Sequence, residues 1–127
     1  MFDEPCLRHG HPLAYHLCLT AERAMTPHQR RALRRAVRDL CLARRWHLIA
    51  CDLSRHRFQA VIGGQGKAAT IHRTLFELCA GSRPRRVWDS SAPVLLYDEA
   101  DILEACTRTL YEETNGLIGQ GHDLCDD

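Results

Sequence analysis

The sequence has no hydrophobic run approaching the roughly 18–20 residues that a membrane-spanning helix needs. Its opening segment, MFDEPCLRHGHP, is polar and acidic and lacks the apolar core of a secretory signal peptide. The seven cysteines are dispersed and form no Cys-x-x-Cys pair, which is typical of reduced thiols rather than of a disulfide framework. We therefore expect a soluble, cytoplasmic protein with free cysteines and no membrane partner.

Lysine is almost missing, because Lys67 is the only lysine among 17 basic residues. The formal net charge of +1 also conceals a division along the chain. Residues 1–88 hold 16 Arg or Lys against 6 Asp or Glu, whereas residues 89–127 hold 1 against 10. A GC-rich genome can explain the preference for arginine, but it does not explain the separation of charge. An arginine-rich segment suits bidentate contacts to phosphate, so this division points to nucleic acid.

Hydrophobic residues make up 45% and charged residues 26% of the 127 positions, which is typical of one folded domain and not of a disordered chain. We expect a single domain with its core over about residues 13–118. Thr26 and Pro27, with Gln29 three residues after Thr26, predict a capped helix start. Asp98 predicts a second capped start, for a helix that runs to about Thr114.

Periodicity elsewhere predicts strands at 13–20, 46–51 and 57–62, a helix at 68–80, and short extended segments at 87–88 and 94–96. This order favours an α+β sandwich of the ferredoxin-like (RRM-like) kind, with the helices packed on one face of an antiparallel sheet.

Two segments carry candidate chemistry. The first runs from Leu53 to Phe58 at the start of the third strand, and the second from Tyr111 to Asn115 at the end of the last helix. Tyr111 and Asn115 are four residues apart, so they lie on one face of that helix.

With these segments, the chain resembles the REP-associated tyrosine transposases, relatives of the HUH-type single-strand transposases with one catalytic tyrosine. The resemblance covers about residues 15–118 and follows four segments in order: Tyr15-His16-Leu17-Cys18-Leu19-Thr20, Ile49 to Ile62, Val87-Trp88-Asp89, and Leu110 to Asn115. It implies strand cleavage by a tyrosine, a divalent metal held by an H-x-H pair and an asparagine, and a homodimer.

Matched position by position, the resemblance implies Tyr111 as the nucleophile, Asn115 as an amide ligand and His56 as the first metal-binding histidine. Phe58 stands where the second histidine is expected, and Gly116 replaces the proline after the asparagine. Strand alternation predicts that His56 and Phe58 share a face and that Gln59 lies on the opposite one.

We therefore expect at most a weak site for Mg²⁺ or Mn²⁺. A phenol with a pKa near ~10 needs help from a metal to attack phosphate. One imidazole and one amide oxygen hold a divalent ion poorly. A structural interpretation of each residue stays open: His56 at a turn, Phe58 in the core, and Tyr111 as a half-buried side chain of the last helix.

The sequence thus predicts a transposase-like protein that binds single-stranded or hairpin DNA and whose cleavage is weakened or lost. Exposed aromatic residues on the sheet could stack bases. The basic residues expected to contact phosphates are Arg23, Arg55, Arg57, Arg73, Arg83, Arg85 and Arg86.

Two alternatives remain. One is an active single-strand endonuclease and transposase that forms a 5′-phosphotyrosine through Tyr111. The other is a non-DNA interaction module with a structural zinc, the less favoured metal, at the chain ends; its ligands would be Cys6, His9, His122 and Cys125.

Overall fold

The computed structural model of the chain describes residues 12–64, 66–83 and 85–116, of which 111–116 are described by their backbone alone. The elements within these ranges are β1 (Ala14–Ala21), α1 (Pro27–Arg44), β2 (His47–Leu53), β3 (Arg57–Gly63), α2 (Ala68–Ala80), β4 (Trp88–Ser90), β5 (Val94–Leu96) and α3 (Glu99–Gly116). The predicted elements are confirmed, with their ends shifted by one or two residues. No helix in the described part of the chain has the length and apolar character needed to cross a membrane.

Helix α1 begins at the capping box that the sequence predicted. The backbone N–H of Gln29 donates to Thr26 Oγ1 at 3.1 Å, and the N–H of Thr26 donates to Gln29 Oε1 at 2.9 Å. Pro27 takes the first helical position, where its missing N–H is not needed. Arg45 ends the helix in the left-handed region, with φ of 60°. Hydrogen bonds between residues a few positions apart therefore close both ends of α1.

Replacing Thr26 by alanine is expected to lower the free energy of unfolding by about 1 kcal/mol, because one of the exposed N–H groups at the helix start loses its acceptor. Thr26→Ser keeps the hydroxyl and is expected to stay close to the parent protein. Urea denaturation of the two variants checks this; equal losses would show that the capping hydroxyl is not what stabilises the helix start.

The sheet is open and antiparallel, with the strand order β2-β3-β1-β4. Strand β5 pairs with the first half of β1, and β4 pairs with its end. In the central pair, Leu19 lies opposite Phe58 and Cys18 lies opposite Gln59. On the other side of β3, Asp52 also lies opposite Gln59. Within the described ranges, three helices and five strands form a mixed α+β architecture.

Helices α1 and α2 cover one face of this sheet and bury the main core. That core joins alternate residues of β1 and β3 to apolar residues of both helices: Tyr15, Leu17, Leu19, Phe58, Ala60, Ile62, Leu33, Val37, Ile71 and Leu75. Burial of such side chains contributes about 1.5–3 kcal/mol each, so this face supplies most of the stability of the fold.

Helix α3 packs on the opposite face, so the prediction that all helices lie on one face is wrong. Ala105 of α3 joins Ala14, Val61 and Leu96 in a second, smaller apolar cluster. These strand residues alternate with those of the main core. The small side chains of Ala14 and Cys18 on this side of β1 allow a helix to lie close to the sheet.

The direction of α3 follows from its contacts. Asp98 Oδ1 accepts from the N–H of Asp101 at 2.8 Å, which confirms the predicted cap at its start. Ala105 packs with Ala14, and Thr109, one turn later, reaches His16 two residues further along β1. The helix therefore runs in the direction of β1.

Candidate nucleic-acid interface and the face beneath α3

Three loops meet at one end of the sheet, where β1 ends. The N–H of Ala21 donates to the carbonyl of His56 at 2.6 Å, and the N–H of Met25 donates to the backbone carbonyl of Arg55 at 2.7 Å. The N–H of Glu22 donates to the carbonyl of Val87 at 2.9 Å. These bonds hold the loop after β1, the β2–β3 turn and the loop after α2 together. We call this region the arginine end; its basic residues are Arg23, Arg55, Arg83, Arg85 and Arg86.

Arg86 has the most restricted position at the arginine end. Its Nη2 donates to Gln29 Oε1 at 3.0 Å and reaches the carbonyl of Ala24 at 3.5 Å. Its Nε is buried and has no hydrogen-bond partner among the described residues. Gln29 is also part of the capping box, so the start of α1 and the position of Arg86 depend on the same amide oxygen.

The other arginines of the arginine end are exposed. Arg23 Nη2 donates to the backbone carbonyl of Arg85 at 3.0 Å, which links the loop after β1 to the loop after α2. Glu22 is the acidic neighbour on the first of these loops, and it lines the same surface depression as Arg23, Arg85 and Arg86. Cationic side chains outnumber carboxylates at this end, which therefore suits an anionic ligand.

Two of the seven predicted phosphate-binding arginines lie elsewhere. Arg73 is exposed on α2, several residues before the loop that follows this helix. Arg57 is half-buried at the first position of β3 and alternates with Phe58, which places it on the side of the sheet that α3 covers. The structure thus brings together five of the seven.

Beneath α3, the sheet carries polar side chains that the sequence reasoning did not select. His16 Nε2 lies 3.1 Å from Gln59 Oε1 and 3.2 Å from Thr109 Oγ1. The Thr109 hydroxyl donates to the carbonyl of Ala105 at 2.8 Å, so it accepts the proton of His16 Nε2. Gln59 is 2% exposed, and its Nε2 has no partner among the described residues. His16 and Gln59 could have been found by asking which polar residues share the alternate side of β1 and β3.

The candidate residues between β2 and β3 are divided among the main core, the side of α3 and an exposed turn. Phe58 is fully buried in the main core, against α1 and α2, whereas Gln59 is on the side of α3. The predicted alternation of Phe58 and Gln59 is confirmed, and Phe58 takes the core position that the structural interpretation gave it. His56 lies on the exposed turn before β3, where its Nδ1 is 3.1 Å from the carbonyl of Ala21.

Tyr111 and Asn115 occupy backbone positions on the continuous helix α3, one turn apart. They follow Thr109, whose hydroxyl contacts His16 on the sheet. The side chains of Tyr111 and Asn115 lie outside the described part of the structure.

The aromatic side chains of the sheet are not available for base stacking. Tyr15, Phe58 and Trp88 are all buried, with exposed fractions of 6%, 0% and 5%. The expectation of exposed aromatic residues on the sheet is therefore wrong, because both faces are covered by helices and the rings fill the core.

The side chains on the α3 side of β3 do not fit a divalent metal such as Mg²⁺ or Mn²⁺. Arg57 brings a positive charge, and the Gln59 oxygen already accepts from His16. Asp52, opposite Gln59, supplies one carboxylate, whereas such an ion takes several oxygen ligands. Within the described ranges, no group of three His, Cys, Asp or Glu side chains could hold a metal. Cys6, His9, His122 and Cys125, the residues of the zinc alternative, lie outside them.

The buried cysteines are structural. Burial raises the pKa of the Cys41 thiol, and burial together with the nearby Cys51 raises the pKa of Cys79 to about 12. Both thiols are protonated at neutral pH, and a protonated thiol is neither a nucleophile nor a metal ligand.

Comparison with known proteins does not place the chain in a family. No protein-family model matches it, and no curated protein matches its sequence. Its function is therefore inferred from the residues at the arginine end and beneath α3.

Proposed function

We propose that this chain is a transposase-like DNA-binding protein that recognises single-stranded or hairpin DNA through the arginine end, and that its strand cleavage is weakened or lost. The observation that carries the proposal is the convergence of five arginines on three loops that backbone hydrogen bonds hold together. A positioned guanidinium loses little freedom on binding and can contact phosphate oxygens in a bidentate manner.

The order of elements supports the proposed resemblance. In a ferredoxin-like sandwich, β3 separates β1 from β2 and β4 joins the other side of β1, which is the order β2-β3-β1-β4 seen here. The additional helix α3 on the free face carries position 111. A ferredoxin-like assignment, with relatedness to REP-associated tyrosine transposases, accounts for both features.

Charge on the two sides of the molecule favours a flexible strand or a hairpin tip as the ligand. Helix α3 presents the exposed Glu99 at its start, next to the exposed Asp98, on the face opposite α1 and α2. A long rigid duplex extending from the arginine end would meet more of this negative surface, whereas a single strand can follow the basic loops alone.

The residues beneath α3 support weakened cleavage. The resemblance implies imidazoles at positions 56 and 58, but at the start of β3 the side of the sheet that α3 covers carries Arg57 and Gln59, a guanidinium and an amide. His16 does face α3, but its Nε2 is already shared between Gln59 Oε1 at 3.1 Å and Thr109 Oγ1 at 3.2 Å. A phenol at position 111 would therefore lack the metal that activates such a nucleophile.

A salt titration tests the DNA-binding part. If about four arginines each neutralise one phosphate of a single strand, affinity is expected to fall roughly 20-fold between 50 and 150 mM salt. Fluorescence anisotropy with labelled hairpin, single-stranded and duplex oligonucleotides measures this. Polyglutamate of equal charge is the control. Failure to bind any oligonucleotide at 50 mM salt, or equal competition by polyglutamate, would contradict the proposal.

Incubation with Mn²⁺ tests the cleavage part. We expect no covalent adduct on denaturing gels with oligonucleotides that the protein binds. An adduct that is formed by the parent protein and disappears in Tyr111→Phe would show that cleavage is retained, in agreement with the active-transposase alternative.

A further inference from the structure

A groove of about 330 Å³ opens between α1 and α2, directly beside the arginine end. Arg83 and Arg86 line it together with Gln29 and Glu77. Its volume is near the lower limit of the range of about 300–1,000 Å³ typical of small-molecule sites. We propose that this groove receives an unpaired guanine base of the bound DNA and that Glu77 selects it. The inference rests on the proposed function, since DNA bound at the arginine end supplies the base.

The walls of the groove suit the flat face of a base. Met25 and Leu33 are buried and belong to the main core, so their positions are fixed by packing. Leu78 of α2 faces them across the groove, and the small side chains of Ala32 and Ala36 leave space between the helices. Apolar side chains on both sides of a planar ring are a common way to hold a base outside the stack.

The phosphate of the same nucleotide has cationic partners at the groove. Arg83 is exposed there, and Arg86 is held by Gln29 Oε1 at 3.0 Å. The buried Nε of Arg86, which has no partner among the described residues, is a donor that a bound phosphate or base oxygen can satisfy. One nucleotide can thus place its charge on the arginine end and its base between the helices.

Glu77 gives the groove its preference for guanine over the other three bases. Among the described lining residues it supplies the single carboxylate, and a carboxylate only accepts hydrogen bonds. The pairing edge of guanine presents two adjacent donors, N1–H and the N2 amino group, which match the two carboxylate oxygens. Adenine and cytosine present one amino group beside an accepting ring nitrogen, and thymine presents one N–H between two carbonyls. Base pairing would hide the guanine edge, so the base must be unpaired.

Binding to thymidine strands that carry one central substitution tests the inference. A single dG is expected to bind about tenfold tighter than dT at that position, with deoxyinosine, which lacks the N2 amino group, between them. In Glu77→Gln the ratio of dG to dT affinity is expected to fall to about one, because the amide side chain supplies only one of the two acceptor oxygens. Glu22→Gln is the matched control: it removes a charge at the arginine end but outside the groove, so the dG preference should persist.

Ala32→Phe fills the groove without changing charge, and the ratio of dG to dT affinity should fall to about one in this variant as well. If that variant does not fold, Glu77→Gln alone decides. Equal binding of dG and dT strands by the parent protein, or a dG preference that survives in Glu77→Gln, would overturn the groove assignment and leave phosphate binding in place. Absence of binding to every strand would overturn the proposed function itself.

Discussion

Replacing Phe58 by histidine is expected to lower the free energy of unfolding by about 3–5 kcal/mol and to create no metal binding. Sequence resemblance alone would suggest the opposite, that histidine at this position completes an H-x-H pair. In the structure Phe58 is fully buried opposite Leu19 in the main core, where an imidazole has less volume to fill and must bury its polar nitrogens. Urea denaturation, with and without Mn²⁺, measures both effects.

Gln59→His is the matched control for this experiment. It introduces the same side chain at the next position of the same strand, but on the side of α3, where His16 and Thr109 already provide polar neighbours. We expect Gln59→His to lower the free energy of unfolding by about 1–2 kcal/mol, because it alters one buried hydrogen bond. If Phe58→His were the milder change, or if it gained stability from Mn²⁺ and Gln59→His did not, the assignment of the two faces would be wrong.

The sequence predicted the helix starts correctly but not the face of the sheet that α3 covers, and this difference has a physical cause. Capping, periodicity and turn chemistry are local, so the start of α1 at Thr26 and the start of α3 at Asp98 could be predicted. The face that α3 covers depends on contacts between residues almost one hundred positions apart, such as Thr109 and His16. Strand alternation separates Phe58 from Gln59, but it does not say which of them faces the last helix.

The sequence predicted the excess of arginine, but not that five of these arginines meet at one end of the sheet. The excess of arginine in the first 88 residues is visible in the sequence, whereas the meeting of three loops depends on bonds such as Met25 to Arg55 and Glu22 to Val87. Gln29 makes one contact to a residue nearby in the sequence and one to a residue far away in it. Its bond to Thr26 follows from local spacing, but its bond to Arg86 joins positions 57 residues apart.

Replacing Arg83 and Arg85 together by alanine is expected to weaken binding of single-stranded or hairpin DNA roughly 25-fold at 0.1 M salt. Each phosphate contact to a single strand contributes a salt exponent of about 0.7, which corresponds to about fivefold in affinity at this salt concentration. Both side chains are exposed, so the fold should be unaffected. The backbone carbonyl of Arg85 remains available to Arg23.

The slope of the salt dependence separates a lost phosphate contact from a general loss of positive charge. In the Arg83→Ala/Arg85→Ala variant the exponent should fall by about 1.4, from two lost contacts. The control is Arg35→Ala/Arg38→Ala, which removes the same charge from the exposed side of α1. We expect this control to change the exponent little, because those arginines lie on the helix surface and outside the arginine end. Equal losses in the two double variants would mean that DNA follows the whole basic surface, and the three loops would then have no special part in binding.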